Sequence, residues 1–93
     1  MRLRYTRPAL VELDTILDYI EERSPKGAAR VSTRIQAVTT LLLKYPRIGA
    51  ATSDPVIRRV TATPYPYAIF YEIAGDEIVI HAIRHGARDP ARS

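Results

Sequence analysis

Tyr67-Ala68-Ile69-Phe70-Tyr71-Glu72-Ile73-Ala74-Gly75-Asp76-Glu77-Ile78-Val79-Ile80-His81-Ala82-Ile83-Arg84 is the stretch from which the fold can be read. β-Branched and aromatic residues fill both halves, and the glycine between them permits the positive φ that a tight hairpin needs. Two antiparallel strands are expected, near residues 67–73 and 77–84. In the first, Tyr67, Ile69, Tyr71 and Ile73 point one way and Ala68 and Phe70 the other. In the second, Ile78 and Ile80 oppose Val79 and Ile83. Both faces are apolar, yet a helical layer covers only one face of a small sheet. The face carrying Ala68, Phe70, Val79 and Ile83 is therefore expected to meet a partner. The competing reading is a curved sheet that shields its own residues.

Upstream, a further β-rich run near residues 56–61 is set off by Thr63-Pro64-Tyr65-Pro66 and completes an antiparallel meander. Before it the period changes. Ala28, Val31, Ile35, Val38, Leu42 and Tyr45 recur at steps of three and four, which lays one apolar stripe along a helix that Pro46 and Gly49 terminate. Ser24-Pro25 is a cap followed by a first-turn proline, so a tight connection joins this helix to an earlier one. That earlier helix is expected over residues 8–23, capped by Thr6, with Leu10, Leu13, Leu17 and Ile20 on its apolar side. Leu3 and Tyr5 alternate with Arg2 and Arg4 as in a short strand. The expected fold is α+β: a short N-terminal strand, a helical hairpin, then a three-stranded antiparallel meander packed beneath it, as one domain over residues 1–93.

Composition narrows the function. A chain of 93 residues, 46% hydrophobic and 26% charged, is ordinary globular material with room for a single core. With no cysteine and two histidines, neither a disulfide framework nor a metal site is expected, and no cofactor is called for. No apolar run is long enough for a signal peptide or a membrane span, so a cytoplasmic protein is expected. The net charge of +4 rests on twelve arginines against two lysines, a choice suited to carboxylate or phosphate partners. Charge also segregates between the helices. Glu12, Asp14, Asp18, Glu21 and Glu22 lie on the first; Lys26, Arg30, Arg34 and Lys44 lie on the second, where a modest interhelical attraction is expected.

Several runs in this order resemble the RelE/ParE toxins. They are Tyr5-Thr6 before an amphipathic helix, Ser24-Pro25 and Ala28-Ala29 opening the second, and Leu43-Lys44-Tyr45-Pro46-Arg47-Ile48-Gly49 closing it. Arg58-Arg59 then precedes Tyr67-Ala68-Ile69-Phe70-Tyr71-Glu72, and Ile78-Val79-Ile80 leads to Ile83-Arg84-His85-Gly86-Ala87-Arg88. The resemblance is nearer to ParE. It implies a toxin neutralised by a small ParD-like antitoxin, whose C-terminal segment covers sheet and helix grooves, and it makes Ala68, Phe70, Val79 and Ile83 the candidate antitoxin contacts.

The RelE branch cuts messenger RNA, which needs a base, a cation for the pentavalent phosphate, and an acid. Where such relatives place an Arg in the middle strand, this chain has Ala68, and the tail after the last strand contains no Tyr. The resemblance therefore favours the branch that poisons DNA gyrase, with Arg58, Arg59, Arg84, His85 and Arg88 as candidate target contacts. The alternative is a ribonuclease with a rearranged site built on His85, Arg59 and Arg88, since only a histidine here titrates near neutrality. Structural roles compete with both: an ion pair of Arg58 or Arg84 with Glu72 or Glu77, and a hydrogen-bonding role for His85.

Overall fold

In a computed structural model, which describes residues 1–86, the chain forms β1 (Arg2–Tyr5), α1 (Arg7–Glu21), α2 (Pro25–Lys44), β2 (Ala50–Ala51), β3 (Ile57–Thr61), β4 (Tyr67–Ala74) and β5 (Glu77–His85). The expected architecture is present, with two additions. The strand order is β1-β5-β4-β3-β2, so the meander gains a strand at each edge and becomes a five-stranded mixed sheet. β1 runs parallel to β5, Arg2 opposite Glu77 and Tyr5 opposite Ile80, because the helical hairpin carries the chain away before it returns. β2 consists of two alanines opposite Arg58 and Arg59, too short and too weak in β preference to be foreseen.

Local chemistry sets the helix ends. The Thr6 hydroxyl accepts from the Ala9 N–H at 3.2 Å and the Ser24 hydroxyl from the Gly27 N–H at 2.9 Å. Each satisfies an amide that has no partner inside its helix. α1 stops at Glu21, two residues short of the expected end, where the Ser24 N–H already bonds the Ile20 carbonyl. α2 stops at Tyr45 (φ −130°), as the residue before a proline is driven out of the helical region.

The core lies between the hairpin and one face of the sheet. Val31, Ile35, Val38 and Leu42 from α2 meet Ile69, Tyr71, Ile78, Ile80 and Ile83, with Leu13, Leu17 and Ile20 of α1 packed alongside. Two residues of the expected stripes stay outside: Leu10 and Tyr45 are about half exposed. The helices' charges do not pair across the seam among the described residues. Apolar side chains fill it, and the acids of α1 and the bases of α2 stand on its outer flanks.

One irregularity changes the faces of β5. Phe70 pairs with Ala82 but Tyr71 with Ile80, so His81 is an extra residue in a bulge. After a bulge the alternation resets. Ile83 therefore joins Ile78 and Ile80 on the helix side, correcting its expected place beside Val79. Ala82 takes that place on the far face, against Ala68 and Phe70. That face is not left open either: Ala68, Phe70, Val79 and Ala82 are 0–7% exposed.

Candidate functional site

Arg58 and Arg59 are neighbours in β3 and so point to opposite faces. Arg58, opposite Tyr71, turns to the helix side and holds the chain after α2, donating to the Gly49 carbonyl at 2.9 Å and the Arg47 carbonyl at 3.4 Å. The Tyr71 hydroxyl completes this latch. It donates to the Pro46 carbonyl at 2.6 Å and accepts the Gly49 N–H at 2.9 Å. Burial pushes the Tyr71 pKa up from its ordinary value; the Gly49 hydrogen bond and the Arg58 charge oppose the shift. Burial likewise raises Tyr5, against a hydrogen bond with Thr39.

Arg59 faces the far side next to Phe70, half buried. By register Arg84 starts from that same side, in the row Thr61, Ala68, Arg84, but its guanidinium turns to α1. Its partner is neither Glu72 nor Glu77. The Glu12 carboxylate of α1 accepts the Ile83 N–H on one oxygen at 2.9 Å and the Arg84 Nε on the other at 3.2 Å. β1 has ended by this point, its last bond to β5 running from the Thr6 N–H to the Ile80 carbonyl, so Glu12 supplies the acceptor that a strand would otherwise offer. Glu72 binds His81 Nε2 at 2.8 Å, and Glu77 approaches Arg4 at 3.4 Å. Neither pairs with Arg58, whose expected ion pair is replaced by backbone carbonyls.

His85 ends β5 on the helix side, its ring edge-on to Tyr67 with centroids 5.9 Å apart and planes at 84°. Arg88 lies outside the described residues. The four described target-contact candidates therefore do not form one cluster. Arg59 points to the far face and Arg58 and His85 to the other, while Arg84 turns toward α1 and lines one groove with His85. The imidazole on the side of Arg59 is His81, which was not among the candidates and is brought there by the bulge. Ala68, on which the middle of that face depends, is fully buried.

Accessible apolar side chains on α1 stand beside cavities in the surface. Leu10 and Val11 are 47% and 58% exposed between two grooves. One, of about 390 Å³, runs past Leu3, Tyr5, Leu10 and Gln36; the other, of about 290 Å³, past Val11, Ile16, Ile83 and His85. β1 beside the first groove ends the sheet, so its outer edge meets no strand among the described residues. The four expected antitoxin contacts, Ala68, Phe70, Val79 and Ile83, are all buried in the chain alone. Leu10 and Val11 were missed because helical period assigned Leu10 to the core. Among the described residues no group of acids and histidines is arranged to hold a metal ion, and no helix is long and apolar enough to cross a membrane.

Comparison with known proteins gives a consistent result. Residues 3–90 match the family described as ParE toxin of type II toxin-antitoxin system, parDE. Toxin RelE2 of Caulobacter vibrioides is 36% identical over 84 residues, covering 90% of this chain and 93% of that protein. Toxin ParE3 of the same organism is 33% identical over 88 residues, covering 91% and 86%. Among solved structures, a chain of the chromosomal ParDE TA system from P. aeruginosa superposes with a TM-score of 0.79 at 27% identity, over 91% of this chain and 95% of that one.

Proposed function

The chain belongs to the ParE toxin family of type II toxin-antitoxin systems, and from that membership we propose that it poisons DNA gyrase by binding, without chemistry of its own. The toxin role and an antitoxin partner follow from the family; the target is the proposed part. The carrying observation is that His85 and Arg59, the described residues of the alternative ribonuclease site, stand on opposite faces of the sheet. Phosphoryl transfer to an RNA 2′-hydroxyl needs a proton acceptor and a cation converging on one phosphate. Here a base at His85 and a cation at Arg59 do not converge, and Arg84, which lines one groove with His85, is already held by the Glu12 carboxylate. The imidazole on the side of Arg59, His81, has its Nε2 held by Glu72.

The antitoxin segment is read as lying along α1 and the outer edge of β1, where exposed Leu10 and Val11 adjoin unpaired backbone and the positive Arg2 and Arg4. Apolar anchoring plus strand addition is a common way to recognise an extended segment.

Induction of the chain alone tests the target. DNA synthesis is expected to stop, with damage signalling, before messenger RNA is cut, and purified protein is expected to raise the yield of cleaved DNA trapped on gyrase. Prompt messenger RNA cleavage that disappears in His81→Ala or His85→Ala sinks the gyrase reading. In the same cells Leu10→Glu is expected to stay toxic but escape rescue by the antitoxin encoded beside it; full rescue moves the antitoxin off α1.

A further inference from the structure

The acid-free outer face of α2 meets the turn between β3 and β4 in a groove of about 470 Å³, with Arg30, Thr33 and Arg34 on one wall and Pro64 and Tyr65 on the other, above Ala37. We infer that this groove docks an acidic protein segment, one that presents two carboxylates about one helical turn apart around an apolar side chain.

Three features select that occupant. The first is the arginine fork. Arg34 donates through Nε to the Thr63 carbonyl at 2.6 Å, which fixes its guanidinium plane and leaves the terminal nitrogens for a ligand. A planar fork held in advance loses little freedom when it takes a carboxylate. Arg30, one turn earlier and about 6 Å along the axis, has no hydrogen bond or ion pair among the described residues. The second is the apolar part of the lining, where Ala37, Pro64 and Tyr65 offer a seat beside the two charges. The third is the neighbouring charge. α1 and its C-cap carry Asp14, Asp18, Glu21 and Glu22 on their exposed surface, so a polyanion laid along the hairpin meets repulsion, while a short segment with local carboxylates does not. Two arginines also displace few counterions, which gives a nucleic acid little salt-dependent affinity.

The groove stands apart from α1 and β1, so its occupancy is independent of whether the toxin acts on gyrase or on RNA. The test uses the full chain and a fluorescein-labelled helical peptide of about twelve residues, with glutamates four apart around a leucine, followed by anisotropy. A glutamine version of the peptide and a single-stranded oligonucleotide of similar length serve as comparisons. The glutamate peptide is expected to bind at least about tenfold tighter than the glutamine peptide, and to lose that margin in Arg30→Glu and in high salt. Arg30→Glu touches no internal contact, so unchanged circular dichroism and melting are expected alongside. Ala37→Trp, which fills that apolar lining, is expected to weaken the same peptide without reversing any charge. Equal binding by Arg30→Glu, no binding of the glutamate peptide up to about 1 mM, or tighter binding of the oligonucleotide overturns the assignment. So does a dimer that Arg30→Glu dissociates, since a second copy would then be the occupant.

Discussion

Gly49 shows how one side chain's absence can hold a loop. A Cβ there would lie 2.5 Å from the Tyr71 hydroxyl and 2.7 Å from its ring. Backbone and phenol approach closely enough for the Gly49 N–H to reach the hydroxyl only because that volume is empty. Arg58 then braces the same residue through its carbonyl, a role that explains this arginine without any target. Gly49→Ala is expected to lower stability by about 1–3 kcal/mol through overpacking, read as an earlier midpoint in urea. An unchanged midpoint would mean that Tyr71 moves freely and the latch is unimportant. Gly75 is required for a different reason: at φ +62° in open space, it makes the turn between β4 and β5 without crowding any neighbour.

At the level of elements, the decisive contact is between α1 and β5. A four-residue strand cannot accompany a nine-residue strand to its end, and beyond Thr6 the edge of β5 lacks a backbone acceptor. Glu12 provides one and takes the Arg84 guanidinium on its second oxygen. Removing one partner of such a bond leaves the other unsatisfied, at a cost of about 1–3 kcal/mol. Glu12→Ala is therefore expected to destabilise by that amount and to speed hydrogen exchange at the Ile83 amide more than at amides in β4. Glu12→Gln, which keeps an acceptor oxygen, should retain most of the protection. If both variants exchange alike at Ile83, the carboxylate does not stand in for a strand.

For the whole molecule, the two tyrosines with raised pKa values tie stability to alkaline pH. Tyr5 and Tyr71 are kept neutral above the ordinary value of 10.0, chiefly by burial. In the unfolded chain they ionise near that value, while in the folded chain they do so only at higher pH. Their contribution is thus whole below pH 10 and is lost as pH rises from there through the folded values. Unfolding free energy is expected to fall from about pH 9 to about pH 11. The double variant Tyr5→Phe/Tyr71→Phe, whatever its stability at pH 8, should fall less over the same interval. Parallel curves for the two proteins would show that other groups drive the alkaline loss.

Much of this protein could be read directly from its residues. Caps at Thr6 and Ser24, prolines at 8, 25 and 46, a three-four stripe along α2 and the period-two runs around Gly75 are local signals, and they specify helices, strands and their order because each acts within a few residues of itself. Tertiary structure alone decided which faces meet. The bulge at His81 moved Ile83 into the core and carried an imidazole to the side of Arg59, since one extra residue resets a period of two. Partners such as Glu12 for Arg84, 72 residues away, and Gly49 for Tyr71 leave no mark in local pattern. Their pairing depends on where β1 stops and where α2 ends in space. For the same reason the arginines, counted from sequence as one basic cluster, fall on two faces of a sheet whose thickness no spacing along the chain can express.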